Sequence, residues 1–576
     1  MKLIIREYLA SLKERDELDA LLPDLLSQMG LDVFSKPGVG GRQYGIDVAA
    51  VGSIDGGPET VYLFSVKSGD LGRTDWNNSV QALRPSLDEI QDTYIQTHLP
   101  LEHRGKPIEI CLCFGGNIKE TVRLEVSSYI QRYTRDNLKF SEWDGERLAN
   151  LIERFFLREE LLPEKCRKLL RKSLALLDEP SSSHGFFKEL IHLILDVDHD
   201  IPEQVLTANR QLYICLWILY SWCRDQGNIE SAYLGSEFAV LKGWDSTKTF
   251  TLGKNKTCRA IANTFSALRS LQLQISLQYL TKIILPHTNN LHALSAAINP
   301  STAIDVNLKL FDVLGRFAVA GLSLCWLFEE YTEADRQMEI GQRTIEQIIS
   351  LQNAMSNMIT NNPELNSPIK DDQAIDIVLA YWFMGLDFGD DNDNQRMWLD
   401  QIIKSSTFRL AIKSYYPCNL TEYYDLIYHP RKKPGYFEEV TAGSILYPHL
   451  AMLCALTASD DSYNEIRELK EEFLKHCNFQ IWFPDGTSED NFLSGKKAHG
   501  ATLSHIKIPN DRFEYLKMIF DESDKSASFY SLSAIERSQL PLILIACRYH
   551  RYPIPTHFFK ESYELLRADR EAIISS

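Results

Sequence analysis

The sequence lacks most of the marks that assign a chain to a class directly. Its eleven cysteines are scattered over 576 residues without a CxxC pair, which speaks against a zinc ribbon or a dithiol redox centre and for buried free thiols in a reducing compartment. No apolar run approaches the roughly 20 residues of a membrane-spanning helix, and the longest, residues 317–328, falls well short. Residues 1–15 are interrupted by charge and do not follow the order of a secretory signal, so a cytoplasmic protein without a membrane role is expected. Positive charge is in deficit, with 61 Lys and Arg against 78 Asp and Glu and a net charge of -17. Residues 1–157 are acidic in their own right, with 18 Lys and Arg against 24 Asp and Glu. That balance excludes a protein that coats nucleic acid nonspecifically, because phosphate binding draws on clustered cations. No GxxxxGK[ST] loop and no nucleophile elbow occur in the C-terminal part. The acidic stretch at 387–394 lacks a glycine and a terminal glutamate at the offsets of a calcium-binding hand, and reads as a solvated loop between helices.

What is present is a globular composition, 44% hydrophobic and 24% charged, in a chain too long for one ordinary core. Residues 16–29 place Leu18, Leu21, Leu22, Leu25 and Leu26 on one side of a helix that Gly30 ends. A short apolar strand follows at 31–34, then a glycine-rich turn at 36–42. Val48, Ala50 and Val51 follow Asp47 in a second strand. A turn at 55–58 leads into a compact apolar run, 61–66, that ends on Lys67. The two strands read as a β-hairpin. Adjacent strands lie roughly 5 Å apart, so an acid near the end of one and a lysine on the next can meet at one phosphate. Farther on the pattern predicts helices at 88–97, 120–136 and 146–157 and strands at 107–114 and 138–143, with Cys111 and Cys113 on one face as core. Alternating strands and helices of this kind predict a mixed sheet flanked by helices.

The order helix, strand, glycine turn, Asp strand, Lys strand resembles the PD-(D/E)xK, or restriction-endonuclease-like, superfamily, and within it the Mrr-like and effector nucleases of prokaryotic defence. The resemblance covers about the first quarter of the chain. It implies that Asp47 is the metal-binding aspartate and that Lys67 orients the attacking water. Asp19, with Glu17 as the alternative, takes the place of the carboxylate that many members carry on the first helix. The middle position of the ExK triplet holds Ser65 where glutamate or glutamine is usual, so Ser65 reaches a metal only through water. The implied cofactor is Mg²⁺ or Mn²⁺, held by Asp47, the backbone carbonyl of Val66 and Asp19, with Asp70 as a further candidate. A hard cation with oxygen ligands suits phosphodiester hydrolysis. Arg42, Arg73 and Arg84 are the cations expected to meet nucleic acid, DNA ahead of RNA, and Trp76 is a residue that could stack on a base. The acidic balance points to a homo-oligomer, or to a protein partner such as an ATPase or a sensor, that completes a basic channel.

Beyond Leu157 a charged helix at 164–177 and the serines at 181–183 read as a connecting segment, 158–183. Residues 184–576 then carry long helical patterns at 211–226, 230–241, 257–273, 306–330, 334–360, 372–386, 395–415 and 444–458, a helical sensor or assembly region of one or two subdomains. Residues 219–239, with Gly227, Ala232 and Ala239, resemble one tetratricopeptide-like hairpin, although no fixed period recurs. The expectation is therefore an α/β, restriction-endonuclease-like domain joined to a large, mainly α region: a metal-dependent nuclease acting as a regulated effector in anti-phage defence. The other readings are a catalytically degenerate nucleic-acid-binding or scaffolding subunit, and a helical protein-interaction platform.

Overall fold

A computed structural model describes residues 5–6, 9–10, 12, 18–35, 44–77, 82–155, 164–297, 301–386, 392–495 and 500–575. The chain divides into two compact units, Met1–Gly235 with Gly253–Thr264, and Ser236–Leu252 with Phe265–Ser576.

The first unit is built on a five-stranded sheet in the order β1-β2-β3-β4-β5, with β1 at Asp32–Ser35, β2 at Val48–Gly52, β3 at Thr60–Lys67, β4 at Ile108–Phe114 and β5 at Leu138–Trp143. β1, β2 and β3 run antiparallel as a meander, and β3, β4 and β5 run parallel. Parallel neighbours need a crossover. Arg73–Asn77, Leu83–Glu89 and the π-helical Ile90–His98 lie between β3 and β4, and Glu120–Tyr133 between β4 and β5. On one face Val61 and Leu63 of β3 and Ile110, Leu112 and Phe114 of β4 pack with Leu83, Leu87, Val122, Val126 and Tyr129. The other face holds Phe64, whose ring meets Trp143 edge-on at 4.9 Å. Strands β3 and β4 are buried along nearly all their length, which is why both read as continuous apolar runs rather than alternating ones.

We label the helix before the sheet α1, Asp19–Gln28, and the helix after it α2, Gly145–Phe155. α1 packs on β1, β2 and α2. The expected connecting segment is different in kind. Residues 156–163 lie outside the described residues, but Glu164–Ala175 and Pro180–Ile194 are helices, and Ser181 to Ser183 form the first turn of the second. Pro180 opens that helix at a position where its missing N–H costs nothing. The Ser183 hydroxyl is buried and donates to the Ser173 carbonyl at 2.9 Å, so these serines join two helices and are not a linker. The next helix, Pro202–Gln226, ends on Gly227 at φ 75°, and Arg210 from it donates to the Gln28 side chain of α1 at 2.6 Å. The helices from 164 to 226 thus belong with the sheet.

The second unit is helical, with small strand pairs at Ile481–Phe483 with Ala501–Leu503, and at Gly443–Ser444 with Asn478–Phe479. Its centre is Ala303–Glu330, capped by the Thr302–Asp305 box and packed on Glu339–Asn361, Ala374–Met384 and Leu540–His550. That central helix is long and apolar enough to cross a membrane by length and composition, yet 83% of its apolar window is buried inside the protein. All eleven cysteines are free thiols and buried.

Candidate active site at the carboxyl edge of the sheet

The β2–β3 ladder runs from Gly52↔Thr60 to Val48↔Phe64 and stops there. Asp47 bends away from regular pairing: its N–H donates to the Phe64 carbonyl at 2.9 Å, while its carboxylate Oδ2 accepts the Val66 N–H at 2.7 Å. The side chain stands in for the backbone acceptor that the ladder no longer provides. In an extended strand the N–H and C=O of one residue point toward the same neighbour. The Val66 carbonyl is therefore aimed at the side on which Asp47 sits. Val66, which holds the Asp47 carboxylate through its N–H, directly precedes Lys67. The Asp47 charge also reaches across to β4. Burial, and after it the Asp47 carboxylate, push the Cys113 thiol well above its ordinary range.

Ser65 and Lys67 follow Leu63 at spacing two and share its face. Ser65 is 1% exposed, so it is part of the packed sheet, while Lys67 at the strand end is half-buried. Asp19 is the first residue of α1 and is 7% exposed. The helix that Asp19 opens packs on β1 and β2. Glu17 and Arg42 lie outside the described residues.

The remaining residues fall into three kinds. Asp70 is a clamp: its Oδ1 accepts the Asn117 N–H at 2.8 Å, binding the loop after β3 to the loop after β4. Arg73 is exposed, and Arg84 holds its guanidinium 6.0 Å from the centre of the Tyr129 ring. Trp76 does not present a stacking face. It is 1% exposed and meets Tyr129 edge-on at 5.5 Å, because the Arg73–Asn77 turn lies against the Glu120–Tyr133 helix and drives the indole into the core.

Three glycines not singled out from the sequence make this edge close. A Cβ on Gly116 would lie 2.3 Å from Asp70 Oδ1, one on Gly115 would lie 2.0 Å from the Leu9 carbonyl oxygen, and one on Gly145 would lie 2.2 Å from the Gly115 carbonyl oxygen. Gly116 N–H donates to Gly69 O and Gly145 N–H to Gly116 O, both at 2.8 Å. The carboxyl ends of β3, β4 and β5 are thereby knitted backbone to backbone beside Asp47 and Lys67. The signal in the sequence is Gly-Gly directly after an apolar strand and Asp-Gly after the next.

No family model, no curated protein and no solved structure matches this chain.

Among the described residues no group of three or more His, Cys, Asp or Glu side chains is placed to hold a metal ion. The candidate set has two carboxylates and one carbonyl, all hard oxygens of the kind Mg²⁺ accepts while retaining several waters. The Val66 N–H holds one Asp47 oxygen, which fixes the carboxylate's orientation.

Proposed function

We propose that the N-terminal unit is a metal-dependent phosphodiesterase of the PD-(D/E)xK kind, cutting DNA in preference to RNA, and that the chain acts as a regulated effector of anti-phage defence in the cytoplasm. The observation that carries this reading is the Asp47 carboxylate seated on the Val66 N–H, with Lys67 the next residue, at the carboxyl edge of a sheet whose order is helix, strand, Asp strand, Lys strand. Asp47, the Val66 carbonyl and Asp19 would hold a divalent cation, which would supply charge neutralisation at the scissile phosphate and a more acidic water. Asp47 is oriented by its backbone hydrogen bond. Lys67 orients the attacking water and steadies the phosphate oxygens, and Ser65 contributes only through water. The acidic surface assigns delivery of the substrate to an oligomer or a partner such as an ATPase or a sensor.

Purified protein incubated with plasmid DNA, linear DNA and RNA in Mg²⁺ or Mn²⁺ tests this. Cleavage is expected with the parent and a loss of about 10²-fold or more with Lys67→Ala. Equal cleavage by parent and Lys67→Ala would remove the proposal. The second reading, a non-catalytic nucleic-acid-binding or scaffolding subunit, is favoured by the buried Ser65 and by the two-carboxylate donor set. It predicts metal-independent DNA binding without cutting.

A further inference from the structure

The second unit contains a polar cleft of about 730 Å³, within the size of small-molecule sites. It opens where six chain segments meet: the turn before Ala374–Met384, the stretch through Asn419, the turn before Leu446–Leu456, the first hairpin strand, Gly495 after Ser488–Ser494, and the end of Leu540–His550. Such a meeting of loop ends on packed helices is where a rigid scaffold places binding groups.

The walls are chemically distinct. Ile481 and Phe483 face inward and are buried, so Trp482 between them turns the other way and stands half-buried in the cleft wall. Gln480, two residues earlier on extended backbone, shares that side, and Tyr552 lines the cleft as well. Across from them Asn419 spends its amide N–H on the Gly443 carbonyl, at 2.7 Å, which leaves its carbonyl oxygen as an acceptor. Thr421 lies beside it. Lys370 holds Asp372 at 2.9 Å, one of the three N–H groups an ammonium carries. Asp372 is in turn anchored by Arg551, whose guanidinium grips Asp376 at 2.8 and 3.1 Å. The lysine is thus positioned from behind by a fixed carboxylate.

An aromatic wall suits a flat ring, since every nucleobase has a π-face. Carboxamides that both donate and accept suit the edge of a heterocycle or a sugar hydroxyl, and a positioned ammonium suits a phosphate as a point charge. An apolar ligand would leave these polar groups without partners, a cost that discriminates strongly. We propose that this cleft is a binding site for a nucleoside monophosphate or a ligand built on one, with the base against Trp482, its edge read by Gln480 and Asn419, and the phosphate on Lys370.

The test is calorimetric titration of the full chain with AMP, GMP, CMP and UMP separately, in EDTA so that no metal-dependent binding at the N-terminal unit contributes. Ribose 5-phosphate serves as the base-free control. At least one nucleotide is expected to bind at one site per chain, with Trp482→Ala, Gln480→Ala and Lys370→Ala each weakening it about tenfold or more while circular dichroism stays unchanged. Asp47→Asn is expected to bind as the parent does. The proposal is overturned by any of three outcomes: no binding of the four nucleotides up to about 1 mM, equal affinity for ribose 5-phosphate, or affinities unmoved by all three cleft substitutions.

Discussion

In the sheet unit the carboxylate of Asp47 is half-buried and answers a backbone N–H where a ladder runs out. In the helical unit Glu237 is fully buried and Asp376 is 1% exposed, and each is met by an arginine: Glu237 by Arg548, Asp376 by Arg551. Asp312 joins the same group through Arg316 at 2.7 Å and Arg548 at 2.8 Å. The contrast separates two uses of charge. A carboxylate enclosed with a guanidinium has both oxygens matched and is closed to a ligand, so its work is to fix the packing of Ala303–Glu330 against its neighbours. The Asp47 carboxylate sits at a strand edge and there continues a backbone ladder. Burial of charge alone therefore does not mark a site.

The sharpest way to break that comparison is at Asp47. Asp47→Asn keeps an oxygen for the Val66 N–H and removes the charge, so metal-dependent cleavage is expected to fall by about 10²-fold or more with little change in stability. Full activity in Asp47→Asn would show that the Asp47 carboxylate is merely structural. In the helical unit the expected effect is on stability instead. Arg548→Met strands the buried Glu237 charge and should cost about 3–5 kcal/mol in urea unfolding, with cleavage rates per folded molecule unchanged.

Trp76→Ala should cost the sheet unit about 3–5 kcal/mol. A selective loss of nucleic-acid binding without destabilisation would instead reinstate the stacking role that its burial denies.

Two buried groups, Asp371 in the second unit and His184 in the first, should differ in the sign of their local pH response. Burial pushes Asp371 up to about 6 despite its bonds from Ser444 Oγ and from the Ile445 and Leu446 N–H groups. An acid whose folded value is raised is protonated in the folded state over a range where it is ionised when unfolded, so this stabilisation is present at low pH and is lost as pH rises from about 4 to about 6. The size is up to about 3 kcal/mol at this enclosed site. Burial, with the Lys188 charge second, lowers His184 to about 4. A histidine kept neutral by folding stabilises above its ordinary value near 6.5, and that contribution is lost as pH falls toward 4. Hydrogen exchange at pH 4.5 and 6.5 should therefore show protection around Asp371 higher at the lower pH and protection around His184 higher at the upper. Asp371→Asn and His184→Gln should each flatten the response around their own position, and matching slopes around the two positions would refute the assignment. The smallest effect is Asp47→Ala against Asp47→Asn, about 1–3 kcal/mol for leaving the Val66 N–H without its acceptor.

Much of the sheet was legible. Residues 138–143 and 61–66 read as strands because apolar runs bounded by turn residues have few other interpretations, and the observed β5 is Leu138–Trp143. The pairing of Asp47 with Val66 was not legible, since no periodicity announces that a side chain will continue a ladder. The serines at 181–183 misled because serine and proline open helices as readily as they fill linkers. Trp76 misled because an aromatic in a loop carries no local sign of which way it points. Division of the chain at Gly235 and Ser236, inside the helix Glu230–Thr247, was illegible for a further reason: a helix pattern records one apolar face and not which neighbours cover it.

By itself the sequence determined the order of strands and helices, the absence of disulfide frameworks and phosphate loops, and the candidates Asp47 and Lys67, all of which depend on residues close together in the chain. Tertiary structure alone decided that Ser65 and Trp76 are enclosed, that Asp70 is a clamp, that Gly115, Gly116 and Gly145 knit three strand ends together, and that residues from 370 to 552 meet in one polar cleft. Those facts depend on contacts between residues tens to hundreds of positions apart, which local propensity does not encode and only the packing of whole elements resolves.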